Sequence, residues 1–180
     1  MLTYEFDGSH KTRKLYEEAF YIMAYYSAFM KNPHKKTHSI LKTLMGVIIY
    51  AGVVLATGIL FLFVDYSLIL ATVLLTVGAL VGLLFLKYYL AYKKRVDISM
   101  KDTSHKVYTI SDERIIYKDN GKDLSTEWAD IKSIIINKYT VCFLPATLNS
   151  TFYVLPVENA DEIKTFMSGI GKDGLIVDNR

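Results

Sequence analysis

The sequence predicts a membrane protein of the α+β class. We expect an N-terminal amphipathic helix, a two-helix transmembrane hairpin and a C-terminal small antiparallel β domain closed by one helix. Two apolar runs, 43–64 and 66–86, carry no charged residue. A pattern of helical period precedes them, and short segments that alternate between apolar and polar residues follow them. These observations together predict the fold class.

Each apolar run is long enough to cross a bilayer. About 20 apolar residues, at a rise of about 1.5 Å each, span a hydrocarbon core of about 30 Å. Each run carries about thirteen Leu, Ile, Val or Phe residues, so that insertion of each helix is favourable by about 5 kcal/mol. A buried helical hairpin in a soluble core is the alternative, but such helices usually show a polar stripe. We therefore predict spanning helices at about 43–64 and 67–90, within a hairpin of residues 43–92.

The charges around the hairpin predict its orientation. Lysines flank it on both sides, whereas the only charged residue of the short connection is Asp65. We expect Asp65, or alternatively Ser67, to cap the second helix. The positive-inside rule predicts a multi-pass protein of the cell (plasma) membrane with both termini cytoplasmic. The basic residues nearest the membrane are candidate contacts for anionic lipid headgroups: Lys35, Lys36, Lys93, Lys94 and Arg95.

Small residues recur four positions apart in both apolar runs. Gly52 and Ala56 lie in the first run, and Gly78 and Gly82 lie in the second. Such spacing lets helix backbones approach closely in lipid. The contact is either within the hairpin, which we favour, or between subunits of a homo-oligomer. Neither run contains Asp, Glu, Lys, Arg or His, which argues against a pump or ion carrier.

Residues 1–42 are predicted to hold a strand, an amphipathic helix and a basic juxtamembrane segment. Alternation of Leu2, Tyr4 and Phe6 with polar residues predicts the strand. A helical pattern runs from about residue 12 to 30. Tyr21 and Tyr25 lie on the side opposite to its apolar face. That face consists of Leu15, Ala19, Ile22, Tyr26 and Phe29. This broad face must be covered. It either lies in the headgroup plane or packs on the C-terminal domain, and we favour the second. The strand is a candidate to pair with the C-terminal sheet.

Residues 93–180 are predicted to form the β domain. Strands are expected at 107–110, 114–118, 124–128, 131–137, 140–144 and 151–155. Asn120-Gly121 accepts the positive φ angles of a type I′ hairpin turn. Asn159 and Glu162 predict a capping-box start to the final helix. Its buried face is expected to comprise Ile163, Phe166, Met167 and Ile170. The tail to Arg180 is expected to be loose.

One part of this domain resembles a known family. A strand pair turns near Gly121 and is followed by Glu127-Trp128-Ala129-Asp130-Ile131, then by Ile134, and later by Leu155-Pro156 and a short helix. This arrangement is similar to the C-terminal domain of the YcxB-like family, small bacterial membrane proteins with an N-terminal helix and two spanning helices. The resemblance implies a PH-like domain. It implies no reaction, because the family has no established activity. Many members carry basic residues after the proline, where this chain has Val157-Glu158-Asn159.

The residues that could act in catalysis or bind a metal or cofactor predict neither an enzyme nor a cofactor. His34 and His38 lie four apart, but lysines flank them and would repel a dication, so no metal site is expected. Cys142, the single cysteine, falls in an apolar strand and is expected to be a buried, inert thiol. We expect Trp128 to be a core aromatic whose indole N–H needs a partner. The Walker motif is absent from the sequence.

The net charge of +3 lies mainly beside the apolar runs, and the domain beyond Arg95 is slightly acidic. This argues against nucleic acid as a partner. The leading hypothesis is a membrane-anchored, non-enzymatic interaction or regulatory protein with an unknown protein partner. The alternatives are a sensor that binds anionic membrane lipids at the membrane surface and a small oligomeric subunit associated with transport.

Overall fold

The structure, a computed structural model, describes residues 1–6, 12–37, 40–63, 68–102, 104–119, 121–147 and 150–180. They form two compact units: residues 1–37 with 99–180, and residues 38–98. The described residues combine helices with largely antiparallel sheets, so the α+β class is confirmed. The predicted cap at Asp65 and Ser67, the residues Asn120 and His38, and part of the turn at 147–150 lie outside the described residues.

The first unit contains strands from both ends of the chain. Its elements are β1 (Leu2–Phe6), α1 (Arg13–Ala24), α2 (Tyr26–Lys31), β2 (Lys106–Ile110), β3 (Arg114–Asp119), β4 (Lys122–Glu127), β5 (Ile131–Ile136), β6 (Thr140–Pro145), β7 (Tyr153–Pro156), α5 (Ala160–Gly169) and β8 (Ile176–Asp178). The second unit holds α3 (Ile40–Phe63) and most of α4 (Leu68–Lys101).

The first sheet has the order β1-β2-β3-β4 and is antiparallel throughout. β1 pairs with β2 along its whole length, from Leu2 opposite Ile110 to Phe6 opposite Lys106. The pairing of the N-terminal strand with the C-terminal sheet is therefore confirmed. β3 and β4 form the predicted hairpin, and Gly121 has the positive φ of 80° that this turn requires.

The second sheet has the order β7-β6-β5-β8. Its last strand corrects a prediction, because the tail is bound instead of loose. β8 runs parallel to β5, with Ile176 opposite Ile134. Arg180 forms salt bridges with Asp161 and Asp178, which hold the end of the chain against α5. No local sequence pattern marks a three-residue strand of this kind, since its partner strand supplies the hydrogen bonds.

One hydrophobic core joins both sheets to helices from either end of the chain. α1 contributes Leu15, and α5 contributes Ala160, Ile163 and Met167. The strands contribute the largest part, which includes Phe6, Ile110, Ile115, Trp128, Ile134, Ile136, Phe143, Tyr153 and Leu155. The N-terminal strand and helix therefore pack on protein, as favoured, and the core needs both ends of the chain.

Three details of the predicted helices are wrong. The helix predicted over 12–30 breaks at Tyr25, whose φ of −108° and ψ of 28° leave helical geometry. Tyr21, predicted on the outer side, is buried with its ring 6.2 Å from that of Phe29. Asn159 makes no side-chain capping bond to α5, because it already has helical dihedral angles in the 3-10 turn before that helix.

The second unit contains two helices that are long and apolar enough to cross a membrane. Only 11% of each apolar window is buried, unlike the core helix of a soluble protein. α4 continues to Lys101, beyond the predicted end at 90, because the chain has no Gly or Pro there to stop it. The hydroxyls of Thr57, Thr72 and Thr76 donate to the backbone carbonyl four residues earlier, so these polar side chains are satisfied within their own helix.

Candidate functional site

The five basic residues predicted to meet lipid headgroups are distributed over both units. Lys93, Lys94 and Arg95 are exposed on α4, and Lys36 is exposed after α2. Lys35 is half-buried, with its ammonium group 5.4 Å from the centre of the Tyr25 ring. None of the five forms a salt bridge within the described part of the chain. Their charges are therefore available to an external anion.

The small residues of the hairpin do not all lie at the same contact. A methyl group added at Gly78 would lie 2.9 Å from Leu55 Cγ, which shows that α3 and α4 approach closely there. Gly58, which the sequence pattern did not single out, has the same close contact with Leu75. Gly52 and Gly82 have open space where a side chain would lie, and Ala56 is exposed. Contact within the hairpin thus uses Gly58 and Gly78.

Trp128 lies in the core at the end of β4. It is 4% exposed, and its ring centre is 6.3 Å from that of Phe143. Its indole N–H donates to the carbonyl oxygen of Ser111 at 3.0 Å. The prediction of a core aromatic with a partnered N–H is confirmed, and burial leaves no ring face for stacking on a ligand.

The cysteine and the two histidines that the structure describes are dispersed. Cys142 is fully buried, and burial raises the pKa of its thiol to about 12, so it is protonated at neutral pH. His105 lies 3.5 Å from a Glu5 carboxylate oxygen on the surface, and His34 is exposed. The described residues include no group of three or more His, Cys, Asp or Glu that could hold a metal ion.

A shallow depression of about 500 Å³ lies between β1 and α5, lined by Leu2, Asp161, Glu162, Thr165 and Phe166. Its two carboxylates already have partners within the chain. Arg180 pairs with Asp161, and the hydroxyl of Tyr4 donates to Glu162. The depression therefore presents mainly apolar surface.

The turn between β5 and β6 is held by a carboxylate from α1. Glu18 accepts hydrogen bonds from the Tyr139 backbone N–H at 2.9 Å and from the Thr140 hydroxyl at 3.0 Å. It also accepts one from the Thr37 hydroxyl at 3.3 Å. Burial raises the pKa of Glu18, and these hydrogen bonds partly offset the shift. One side chain thus connects α1, the segment after α2 and the turn.

Two lysines meet at the same turn. The ammonium groups of Lys14 and Lys138 lie 5.1 and 5.4 Å from the centre of the Tyr139 ring. The Lys14 ammonium, with Lys138 adding to it, lowers the pKa of the Tyr139 phenol. Neither lysine forms a salt bridge with a residue that the structure describes. Sequence reasoning missed this cluster, because Lys14 and Lys138 are far apart along the chain and have no shared motif.

Comparison with protein-family models, with curated proteins and with solved structures found no match. The resemblance to the YcxB-like family and the PH-like assignment therefore stay predictions. Support for a function therefore comes from the geometry of the described residues.

Proposed function

We propose that this chain is a membrane-anchored, non-enzymatic interaction or regulatory protein that acts through its first unit at the cytoplasmic membrane face. One observation carries the proposal. β1 precedes both apolar helices and β2 follows them, yet the two strands pair over five residues. If α3 and α4 cross a bilayer, that pairing requires both flanking segments to lie on the same side of it.

Three further features support this arrangement. The apolar windows of α3 and α4 are largely unburied. Their threonine hydroxyls are satisfied within each helix, as a hydrocarbon environment demands. The lysines at the ends of the hairpin favour the cytoplasmic side. The strands β1 to β4 form one antiparallel meander and β5 to β7 form a second, and α5 follows them. This order of elements supports a PH-like architecture to which β8 is added.

The membrane arrangement predicts which engineered thiols react from each side. Thr3→Cys in β1 and Glu158→Cys after β7 are both exposed positions of the first unit. We expect a membrane-impermeant maleimide to label both in inverted membrane vesicles and neither in right-side-out vesicles, whereas Tyr66→Cys should show the reverse. The native Cys142 is buried and protonated, so background labelling should be low. Labelling of Thr3→Cys and Glu158→Cys from opposite sides would contradict the arrangement.

A second candidate function is recognition of anionic lipid, favoured by the unpaired charges of Lys36, Lys93, Lys94 and Arg95. Each such residue near an anionic surface contributes about 1 kcal/mol of attraction. One variant separates the two functions: Gln at these four positions and at Lys35. If the chain senses lipid, the variant loses the preference of the wild type for vesicles containing phosphatidylglycerol, and an unchanged preference excludes this function.

The same variant tests the interaction function. If the first unit binds a protein partner, mild detergent should release a complex larger than the chain alone. Wild type and the neutral variant should both give this complex, because the variant leaves the surface of the sheets unchanged. We expect native gel electrophoresis of solubilised membranes to show this complex. Recovery of the chain alone from every preparation contradicts the proposal.

A further inference from the structure

The cluster of Lys14, Lys138 and Tyr139, here called the lysine–tyrosine corner, has no role in the proposed membrane anchoring. Lys14 comes from the first turn of α1, and the other two residues come from the turn between β5 and β6. Both ammonium groups lie within 5.4 Å of the centre of one aromatic ring. All three side chains are on the surface of the first unit, where a small solute can reach them.

Neither ammonium group of this corner forms a salt bridge within the described part of the chain. Both lie beside the same ring, and two positive charges in one region of the surface attract an anion. The Glu18 carboxylate reaches the same turn and accepts hydrogen bonds from Tyr139, Thr140 and Thr37. The hydrogen bond from Lys14, with a smaller effect of Lys138, lowers the pKa of the Tyr139 phenol, as positive charge beside its oxygen does.

We infer that the lysine–tyrosine corner binds a phosphate group, with the two ammonium groups as charge partners and the Tyr139 hydroxyl as a hydrogen-bond donor. Lysine is a common phosphate ligand, and hydrogen bonds between ionised partners are the stronger ones. The phosphate belongs either to a soluble phosphate compound or to a lipid headgroup, which share this chemistry. The inference goes beyond the proposed function, because it concerns a ligand site on the first unit and not the anchoring of the chain.

The turn between β5 and β6 is held by hydrogen bonds, which favours a phosphate site there. Glu18 holds the backbone N–H of Tyr139 at 2.9 Å, and Asn137 and Thr140 close the turn with a backbone hydrogen bond of 2.8 Å. Lys138 and Tyr139 therefore project from a backbone that is already ordered. A preorganised turn loses less conformational entropy when a ligand binds.

The test uses the full chain, with ¹³C-labelled tyrosine, in zwitterionic nanodiscs. Inorganic phosphate is titrated at constant ionic strength, with chloride as the reference anion, and the Tyr139 ring resonance is followed. We expect a saturable shift with phosphate. Lys14→Gln combined with Lys138→Gln should weaken the affinity about tenfold or more, because the variant removes both charge partners of the anion; tenfold corresponds to about 1.4 kcal/mol.

A matched control removes the same charge elsewhere. Lys122 and Lys132 are exposed and form no salt bridge among the described residues, so Lys122→Gln with Lys132→Gln should bind phosphate as the wild type does. Circular dichroism confirms that both double variants are folded. Equal weakening in both, or unchanged binding in Lys14→Gln with Lys138→Gln, overturns the inference.

The source of the phosphate is separated by a second arm. Nanodiscs with phosphatidic acid replace the free anion, and the same resonance is followed. A shift with phosphatidic acid alone assigns the corner to a lipid headgroup, and a shift with inorganic phosphate alone assigns it to a soluble phosphate compound. If neither causes a shift, the corner does not bind phosphate and the inference is wrong.

Discussion

Replacing Phe6 by Ala should lower the free energy of unfolding of the first unit by about 3–5 kcal/mol, the usual cost of removing a buried phenylalanine ring. Phe6 is 4% exposed and lies in the core shared by both sheets. It ends β1, opposite Lys106 in β2. Loss of the ring leaves a cavity in the core between a segment that precedes the apolar helices and one that follows them.

The measurement can follow one signal. Trp128 is the single tryptophan and is buried in the same core, so its fluorescence reports unfolding of the first unit in detergent during a urea titration. Thr3→Ala on the exposed side of β1 is the matched control, with an expected change within about 0.5 kcal/mol, typical of surface substitutions. A loss below about 1 kcal/mol for Phe6→Ala would mean that β1 contributes little to the core, and the common placement of both flanking segments would lose its support.

Glu18→Ala should cost about 2–4 kcal/mol in the same titration. The substitution leaves the Tyr139 backbone N–H and the buried Thr140 hydroxyl without their acceptor, and each such group costs about 1–3 kcal/mol. Glu17→Ala is the matched control one position away. Among the described residues Glu17 pairs with Arg13, four residues earlier on the surface, so a loss of about 0.5 kcal/mol is expected. Equal costs for the two variants would show that Glu18 does not hold the turn.

The pH dependence of the Glu18 contribution has a definite sign. Burial raises the pKa of the folded-state carboxyl above its ordinary value of 4.5. The folded protein therefore holds the proton more tightly than the unfolded chain, and this stabilisation is fully present below pH 4.5 and is lost as the pH rises through the raised value. Glu18→Gln removes the titration. The free energy of unfolding of the wild type minus that of Glu18→Gln should be larger at about pH 4 than at about pH 7. The opposite trend would contradict a raised pKa of Glu18 in the folded protein.

Features with a local cause were predicted well. The spanning-length apolar runs and the β3–β4 hairpin follow from composition and from the backbone freedom of Gly121, each of which acts within a few residues. The burial of Trp128 follows from its large aromatic ring, whereas the partner of its N–H, Ser111, is 17 residues away. The strands were placed within a residue or two for the same reason, since alternation is a local pattern. The extension of α4 to Lys101 was missed because the prediction ended the helix where the apolar pattern ended, and helical propensity continues beyond it.

The positions of the apolar helices and of most strands follow from the amino-acid sequence, because hydrophobic length, residue alternation and turn chemistry act over short distances. How distant segments meet depends on tertiary packing. It placed β8 beside β5, turned Tyr21 toward Phe29, and brought Glu18 and Lys14 to the turn that holds Lys138. These contacts depend on packing around one shared core, which no local pattern in either segment encodes.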